Sequence, residues 1–525
     1  LAAKGEPAAA LLYGVTGSGK TQVYLRLIQS ALARGRGALV LVPEIGLTPQ
    51  LLRIFAAHFG DGVAVLHSSL PAGERYDEWK RARDGKARVV VGTRSAVFAP
   101  VQNLGLIILD EEQEGSYKSE NVPRYHAREV AKFRCKQRGA LLLLGSATPS
   151  VESMYLARSG VYHLFTLRQR YNRRPLPEVL ICDLREELKA GRGGLVSRPL
   201  ADALRETLER GEQAILFLNR RGASRMLSCG ECGGVPTCPR CSVYLTYHSA
   251  NGRLMCHYCG HSEPAPEVCP ACGGTFHFIG AGTQKLQEEL EALFPGTEIL
   301  RMDADTVSAT HSHEKLLARF EREKIPILVG TQMVAKGLDF ENVTLVGVAA
   351  ADFSLYVDDY RAAERTFSLL TQVVGRAGRG EKAGRAIIQT YTPENEVILA
   401  AARQDYDAFY EQELPLRRLR GCPPFRDLVV LTASGLEESA VLRTCVRLRR
   451  TLESWLSRPG SPEVQLLGPA PAAVAKVNDR YRYRLTLSGK NERSLRTLVA
   501  YLLRCAQSDK QNRGVSVSAD VNPGD

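Results

Sequence analysis

No stretch of about 18 consecutive apolar residues occurs in the chain, which excludes a membrane-spanning helix. No basic segment followed by an apolar one opens it, since it begins Leu1-Ala2-Ala3-Lys4-Gly5, and a secretory leader is not expected there. Methionine does not stand first, so the sequence is expected to be a fragment of a longer protein. No internal repeat or low-complexity tract is found, which argues against a solenoid or a disordered linker. Apolar content of 44% and charged content of 24% are those of an ordinary globular protein. At 525 residues the length suggests three or four domains.

Two features are in excess. The formal net charge is +12 and the pI about 9.1. The balance stays basic even if eight cysteines are counted as thiolates on two zinc ions, and a basic balance favours polyanionic partners such as nucleic acid. Thirteen cysteines are present, eight of them between Cys229 and Cys272. With no leader expected, that clustering points to metal binding rather than disulfides, in a reducing cytoplasm. The scattered Cys135, Cys182, Cys445 and Cys505 are read as inert.

The pattern predicts an α/β protein. Apolar runs at Ala10–Tyr13, Ala38–Val42, Val89–Val91, Leu106–Leu109 and Ala140–Leu144 lack polar alternation. Such runs suit parallel strands buried on both faces. Gln22–Ala33 reads as an amphipathic helix. After a polar, proline-containing connection over Arg168–Pro177, a second unit offers strands at Ala214–Leu218, Ile299–Met302, Ile327–Val329, Thr344–Val348 and Arg385–Thr390. A segment rich in Cys, Gly and Pro interrupts it, and the tail mixes helix-like and strand-like runs. The expected division is residues 1–167 for a first lobe, 168–226 for the start of a second, 227–275 for a zinc module, 276–394 for the rest of the second lobe and 395–525 for a C-terminal α+β domain.

Gly14-Val15-Thr16-Gly17-Ser18-Gly19-Lys20-Thr21 fits the phosphate-binding pattern G-x-x-x-x-G-K-[ST], after a strand and before a helix. Its backbone N–H groups and the helix N-terminus suit phosphates. Lys20 would reach the terminal phosphates of ATP, and the Thr21 hydroxyl would bind Mg2+. Leu106–Leu109 runs into Asp110-Glu111-Glu112-Gln113. Carboxylates at that strand end would hold Mg2+ (Asp110) and orient the attacking water (Glu111). In Gln372–Gly380, Arg376 and Arg379 are three apart and could share a helix face. Arginines so placed can stabilise charge on a transferring phosphoryl group.

Taken in order, these motifs resemble the superfamily 2 helicases. Thr93-Arg94-Ser95, Gly145-Ser146-Ala147-Thr148-Pro149 and Gly330–Phe340 add to the likeness. Within that superfamily the chain resembles the bacterial replication-restart helicases of the PriA family. That likeness rests on Leu41–Thr48, on Ser116-Tyr117-Lys118 with Arg124–Arg128, on Asp359–Arg365, and on the cysteine cluster after Leu216–Gly222. It implies two RecA-like parallel-sheet lobes, a double-zinc module inserted in the second, and a C-terminal α+β domain. It also implies an ATP-dependent 3′→5′ DNA helicase acting at forked DNA to restart replication. Implied partners are forked and single-stranded DNA, other primosome proteins, single-strand DNA-binding protein and the replicative helicase loader. Family members carry a DNA-binding region and a winged helix ahead of the motor, and an adenine-recognising segment upstream of the phosphate loop. Gln113 stands where the family usually has His; an amide can hydrogen-bond across the lobes but cannot become cationic. Cys422 replaces a usual Tyr.

The cysteines form four C-x-x-C pairs: Cys229/Cys232, Cys238/Cys241, Cys256/Cys259 and Cys269/Cys272. Four pairs make two closed sites of four thiolates each for two Zn2+, structural rather than catalytic. Spacing alone leaves open which pairs share an ion. The family resemblance implies that the outer pairs share one and the inner pairs the other. His248, His257 and His261 are read as surface residues. Candidate DNA contacts are Thr93, Arg94 and Lys336, with Tyr117, Lys118, Arg124, Tyr125 and His126 as a mixed aromatic and basic stretch that stacks bases and binds phosphates. A zinc-stabilised DNA-binding scaffold with little motor action is the alternative reading, and an RNA helicase a third.

Overall fold

The apolar runs become strands because the only way to bury both their faces is between layers of helix. The computed structural model describes residues 7–43, 49–171, 176–218, 226–239, 244–248, 252–256, 260–279, 283–302, 312–331, 340–357, 359–378, 382–490 and 493–524. In the first lobe β1 (Ala8–Gly14), α1 (Lys20–Ala33), β2 (Gly37–Leu41), α2 (Pro49–Phe59), β3 (Val63–Leu66), α3 (Ala72–Arg83), β4 (Val89–Gly92), β5 (Leu104–Asp110), α4 (Ala127–Arg138), β6 (Leu141–Ser146), α5 (Val151–Arg158) and β7 (His163–Leu167) follow in turn. The sheet is parallel throughout, in the order β3-β4-β2-β5-β6-β1-β7. Strand β6 lies between β1 and β5, with Tyr13 opposite Ser146 and Asp110 opposite Gly145. The phosphate loop, the acidic box and the Ser-Ala-Thr segment therefore leave one sheet edge side by side. Ligands of open α/β sheets bind at that edge, beyond the carboxyl ends of the strands.

The second lobe contains β8 (Glu178–Asp183), α6 (Leu184–Lys189), α7 (Arg198–Glu209) and β9 (Gln213–Phe217). Its inserted module has β10 (Met226–Cys229), β11 (Thr246–His248), β12 (Arg253–Met255), β13 (Ser262–Pro264) and β14 (Phe276–Ile279). The lobe resumes with α8 (Thr283–Leu293), β15 (Ile299–Met302), α9 (Ser312–Arg322), β16 (Ile327–Gly330), β17 (Val343–Val348), α10 (Ala362–Val374) and β18 (Arg385–Thr390). Its sheet is also parallel, in the order β15-β16-β9-β17-β18-β8.

Two helices then return toward the first lobe, α11 (Glu396–Ala402) and α12 (Tyr406–Leu419). Tyr406 on α12 is buried, with its ring centroid 5.4 Å from that of Tyr13 on β1 and 5.9 Å from that of Phe367 on α10. Arg158 at the end of α5 pairs with Asp407 and Glu411 and lies over the Tyr410 ring. Helix α12 thus packs on both lobes at once, and one buried apolar cluster runs through all three.

The C-terminal domain is built from β19 (Asp427–Gly435), α13 (Glu438–Leu456), β20 (Val464–Val477), β21 (Arg480–Gly489), α14 (Arg493–Ser508) and β22 (Val515–Val521). Its antiparallel sheet has the order β20-β21-β19-β22, and both helices cover one face around Leu431, Leu448, Leu485, Leu498 and Leu502. Its last strand reaches back to the first lobe. Lys118 pairs with Asp520 at 2.7 Å and donates to Val521 O, and Arg361 donates to Pro523 O. Among the described residues no helix is long and apolar enough to cross a membrane.

Candidate functional site

The loop between β1 and α1 is shaped by its glycines. Gly17 and Gly19 take φ of 77° and 85°, a region that other residues enter only with strain. Lys20 Nζ folds back to donate to Gly14 O at 2.9 Å. The buried Ser18 Oγ has no hydrogen-bond partner among the described residues. A buried hydroxyl of this kind is costly unless a ligand satisfies it, and a phosphate oxygen would.

At the end of β5, Asp110 accepts a hydrogen bond from the Tyr24 hydroxyl at 2.7 Å. Burial, reinforced by the neighbouring Glu111 charge, raises its pKa to about 6 against the pull of Lys20. A bound divalent cation would reverse that shift. Glu111 sits at φ 47°, a strained left-handed position of the kind that concentrates at functional sites. A side chain at Gly145 would collide with the Tyr24 hydroxyl, so this glycine keeps Tyr24 on Asp110.

Among the described residues Gln113 makes no hydrogen bond to the second lobe. Its amide donates to Glu111 Oε2 at 2.8 Å and accepts from Ser146 Oγ at 2.5 Å. Ser146 Oγ in turn accepts from the Thr148 backbone N–H, and Thr148 Oγ1 lies 2.7 Å from Ser368 Oγ on α10. Thr148 thus makes a hydrogen bond between the lobes here. Gln113 is one relay further in, because its side chain spans only the gap between two adjacent strand ends.

Helix α10 ends beside the phosphate loop. A side chain at Gly375 would come within 3.5 Å of Thr16 Cγ2, which puts the half-buried Arg376 at the cleft. Gly378, at φ 64°, packs against the Gly384 backbone so closely that no side chain fits. Arg379 and Lys336 lie outside the described residues.

Several expected DNA contacts are placed otherwise. Tyr117 is fully buried, and its hydroxyl donates to Leu41 O and Asp110 O. It braces the end of β5 and cannot stack a base. Thr93 is buried too, its backbone carbonyl accepting from Ala96 N–H. Arg94 donates to Ser116 O and Lys118 O and so props the aromatic and basic stretch from below. Within that stretch Lys118 and Arg124 face Asp520. His126 caps α4, its Nδ1 accepting from the Arg128 N–H, and burial holds its pKa well below the usual value. Tyr125 packs edge-on against Phe98, which is 55% exposed. Phe98 was missed because it stands in a run of small and apolar residues that reads as core.

Sequence reasoning also missed a buried charge cluster. Arg417, with 2% of its side chain exposed, pairs with Glu413 on its own helix, Glu364 on α10 and Glu152 on α5. Glu152 also pairs with Arg361, and Glu112 with Arg128. Glu112 accepts as well from the Ser150 N–H and the hydroxyls of Ser150 and Ser153. These partners are dispersed along the chain from Glu112 to Arg417 and carry no local motif.

In the cysteine module, the antiparallel pairing of β10 with β14 brings its two ends together, with Cys229 opposite Phe276. The Cys229 and Cys272 sulfurs are 3.5 Å apart and those of Cys232 and Cys269 3.7 Å. All four lie within 4.8 Å of one another. A tetrahedral ion with Zn–S bonds of about 2.3 Å needs sulfurs about 3.8 Å apart, so these residues fit zinc. Each pair forms a tight turn: Gly233 N–H donates to Cys229 O, and Gly273 N–H to Cys269 O. Of the inner pairs, Cys238 and Cys256 are buried around Leu254, while Cys241 and Cys259 lie outside the described residues. His261 pairs with Glu263; His257 lies outside the described residues, and the His248 side chain is not described. The module touches its neighbours through glycines. A side chain at Gly233 would strike Tyr391 O in the second lobe, and one at Gly260 would come within 3.2 Å of Pro469 O on β20.

Comparison with known proteins now bears on this arrangement. Residues 2–156 match the DEAD/DEAH box helicase family, 275–381 the helicase conserved C-terminal domain, 238–264 the PriA DNA helicase Cys-rich region, and 418–524 the primosomal protein N C-terminal domain. The replication restart protein PriA of Treponema pallidum is 40% identical over 513 residues, covering 98% of this chain and 76% of its own. This chain belongs to the PriA family. The PriA protein of Bacillus subtilis is 48% identical over 514 residues and 98% of this chain. The chain spans 63% of that relative's length and 58% of the PriA protein of a Synechocystis strain. The solved structure of RecG bound to a three-way DNA junction aligns with 78% of this chain and 44% of its own, at 17% identity and a TM-score of 0.46. A Cys-rich zinc module inserted within the second lobe is thus a PriA feature that this chain shares.

Proposed function

We propose that this PriA-family chain is an ATP-driven DNA motor that opens forked DNA with 3′→5′ polarity and helps to restart replication in the cytoplasm. The observation that carries the reading is the convergence of three elements on one cleft. The phosphate loop and the Asp110–Glu111 strand end flank β6 at one end of the first lobe's sheet, and Gly375, at the end of α10 in the second lobe, lies against Thr16 of that loop. Nucleotide in that cleft touches both lobes, so hydrolysis can change how they sit. Lys20 and Thr21 would take the phosphates and Mg2+, Asp110 would hold the metal, and Glu111 would orient the attacking water. DNA would run over the lobes along Arg94, Tyr125 and Lys336, with Lys118 and Arg124 joining once they part from Asp520. Two Zn2+ would be held by the outer and the inner cysteine pairs. Primosome proteins, single-strand DNA-binding protein and the replicative helicase loader are the proposed partners.

The test is ATP hydrolysis with and without single-stranded DNA, beside Lys20→Ala. DNA is expected to stimulate hydrolysis, and the variant to lose roughly 10²-fold, as removal of one charge-stabilising donor does. Hydrolysis that ignores DNA would instead support a scaffold.

Zinc gives a second check. Cys232→Ser is expected to lower metal content by one zinc per chain, read by elemental analysis, and to leave ATP binding within about twofold, because a structural ion stabilises its own module. Unchanged zinc would remove Cys232 from the ligand set.

A further inference from the structure

Beyond β7 the chain runs alongside the phosphate loop instead of leaving it. Leu167 pairs with Gly14, and the Val15 N–H donates to Leu167 O. Further along, the Tyr171 N–H donates to Gly17 O at 2.9 Å. Arg170, nearly buried, packs beside Gly17. Tyr171 is therefore pinned at its backbone while its ring is 83% exposed. A side chain at Gly19 would come within 3.8 Å of Tyr171 Cδ2, so the ring stands next to the last glycine of the loop with nothing between.

A large aromatic ring whose backbone is tied to the phosphate loop and whose face is left in water is an unusual use of surface. Its place beside the loop says what would cover it. A nucleotide whose terminal phosphates lie at Lys20 must carry its ribose and base outward past one side of the loop, and on this side the fold supplies a flat aromatic surface. From these observations we infer that Tyr171 is the stacking platform for the nucleotide base, an inference that rests on reading residues 14–21 as a phosphate site. Stacking accepts any base, because every base has a π-face. The platform therefore adds affinity for nucleoside triphosphates without choosing among them. It also couples the site to the connection between the lobes, since Tyr171 stands in the Arg168–Pro177 segment.

Calorimetric titration of the chain with Mg-ATP, Mg-GTP and Mg-tripolyphosphate tests this. Tyr171→Ala is expected to weaken ATP and GTP alike, by about tenfold, the size of one base–aromatic stack. Tripolyphosphate, which has no base, is expected to bind as to wild type, and Tyr171→Phe to bind all three normally. ATP affinity unchanged in Tyr171→Ala would overturn the platform. So would an equal loss of tripolyphosphate, which would make Tyr171 a brace of the loop. The phosphate-site reading is tested separately by Lys20→Ala, which should weaken all three; wild-type protein that binds none of them would overturn both.

Discussion

Replacing Arg376 by alanine lowers kcat for ATP hydrolysis by roughly 10³-fold while ATP affinity stays within about threefold, the pattern of a group that acts mainly in the transition state. The expectation follows from where α10 ends. Gly375 packs against Thr16 of the phosphate loop, so the next residue, Arg376, stands beside the cleft on the second lobe. A cation delivered across the cleft meets the phosphoryl group as negative charge spreads over its outer oxygens, and it adds little to the bound ground state. Single-turnover hydrolysis beside a nucleotide titration separates the two terms. If affinity and rate fall together, Arg376 is a substrate-binding residue. Arg379→Ala is expected to keep nucleotide binding and lose hydrolysis in the same way.

Arg417→Ala is expected to cost about 3–5 kcal/mol of stability, since it strands buried carboxylates without their cation. Glu152, Glu364 and Glu413 all face that guanidinium, and each belongs to a different helix. Urea denaturation at neutral pH reads the loss, and a change under about 1 kcal/mol would mean that the three carboxylates find other partners. The cluster also has a pH dependence of known sign. Burial pushes the Glu152 carboxyl up, but the charges of Arg361, Arg417 and Arg128 outweigh burial and hold it below its usual 4.5. A depressed carboxyl stabilises the fold above its ordinary pKa, and that contribution fades as pH falls below it. Glu364 is shifted upward, chiefly by burial, and works the other way. Glu152→Gln is therefore expected to flatten the acid side of the stability curve, while Glu364→Gln leaves it steep.

Much of the two-sheet framework was legible because central parallel strands have no polar face to hide them: β2, β4 and β5 are buried along nearly their whole length. Strands β3, β7 and β8 escaped notice for the opposite reason. Each is a sheet edge, and β7 is exposed over most of its residues. The nucleotide residues could be read because a phosphate loop and an acidic box are contiguous in sequence. Residue spacing gave the cysteine pairs but not their partners, which the β10–β14 pairing supplies for the two outer pairs. The aromatic and basic stretch misled at Tyr117, since alternating Tyr, Lys and Arg read alike whether a ring faces water or two backbone carbonyls. The Arg417 cluster had no sequence signal at all, being assembled from separate helices.

Helix α12 has a mechanical consequence. Besides the contacts across the cleft, such as Thr148 with Ser368, the lobes are tied by the covalent connection near Tyr171 and by α12, whose Tyr406 lies between Tyr13 and Phe367. Two bodies tied at two separate points keep one easy degree of freedom, rotation about the line through the ties. Under the proposed motor action, opening the cleft would then be a swing on a fixed axle rather than a free drift apart.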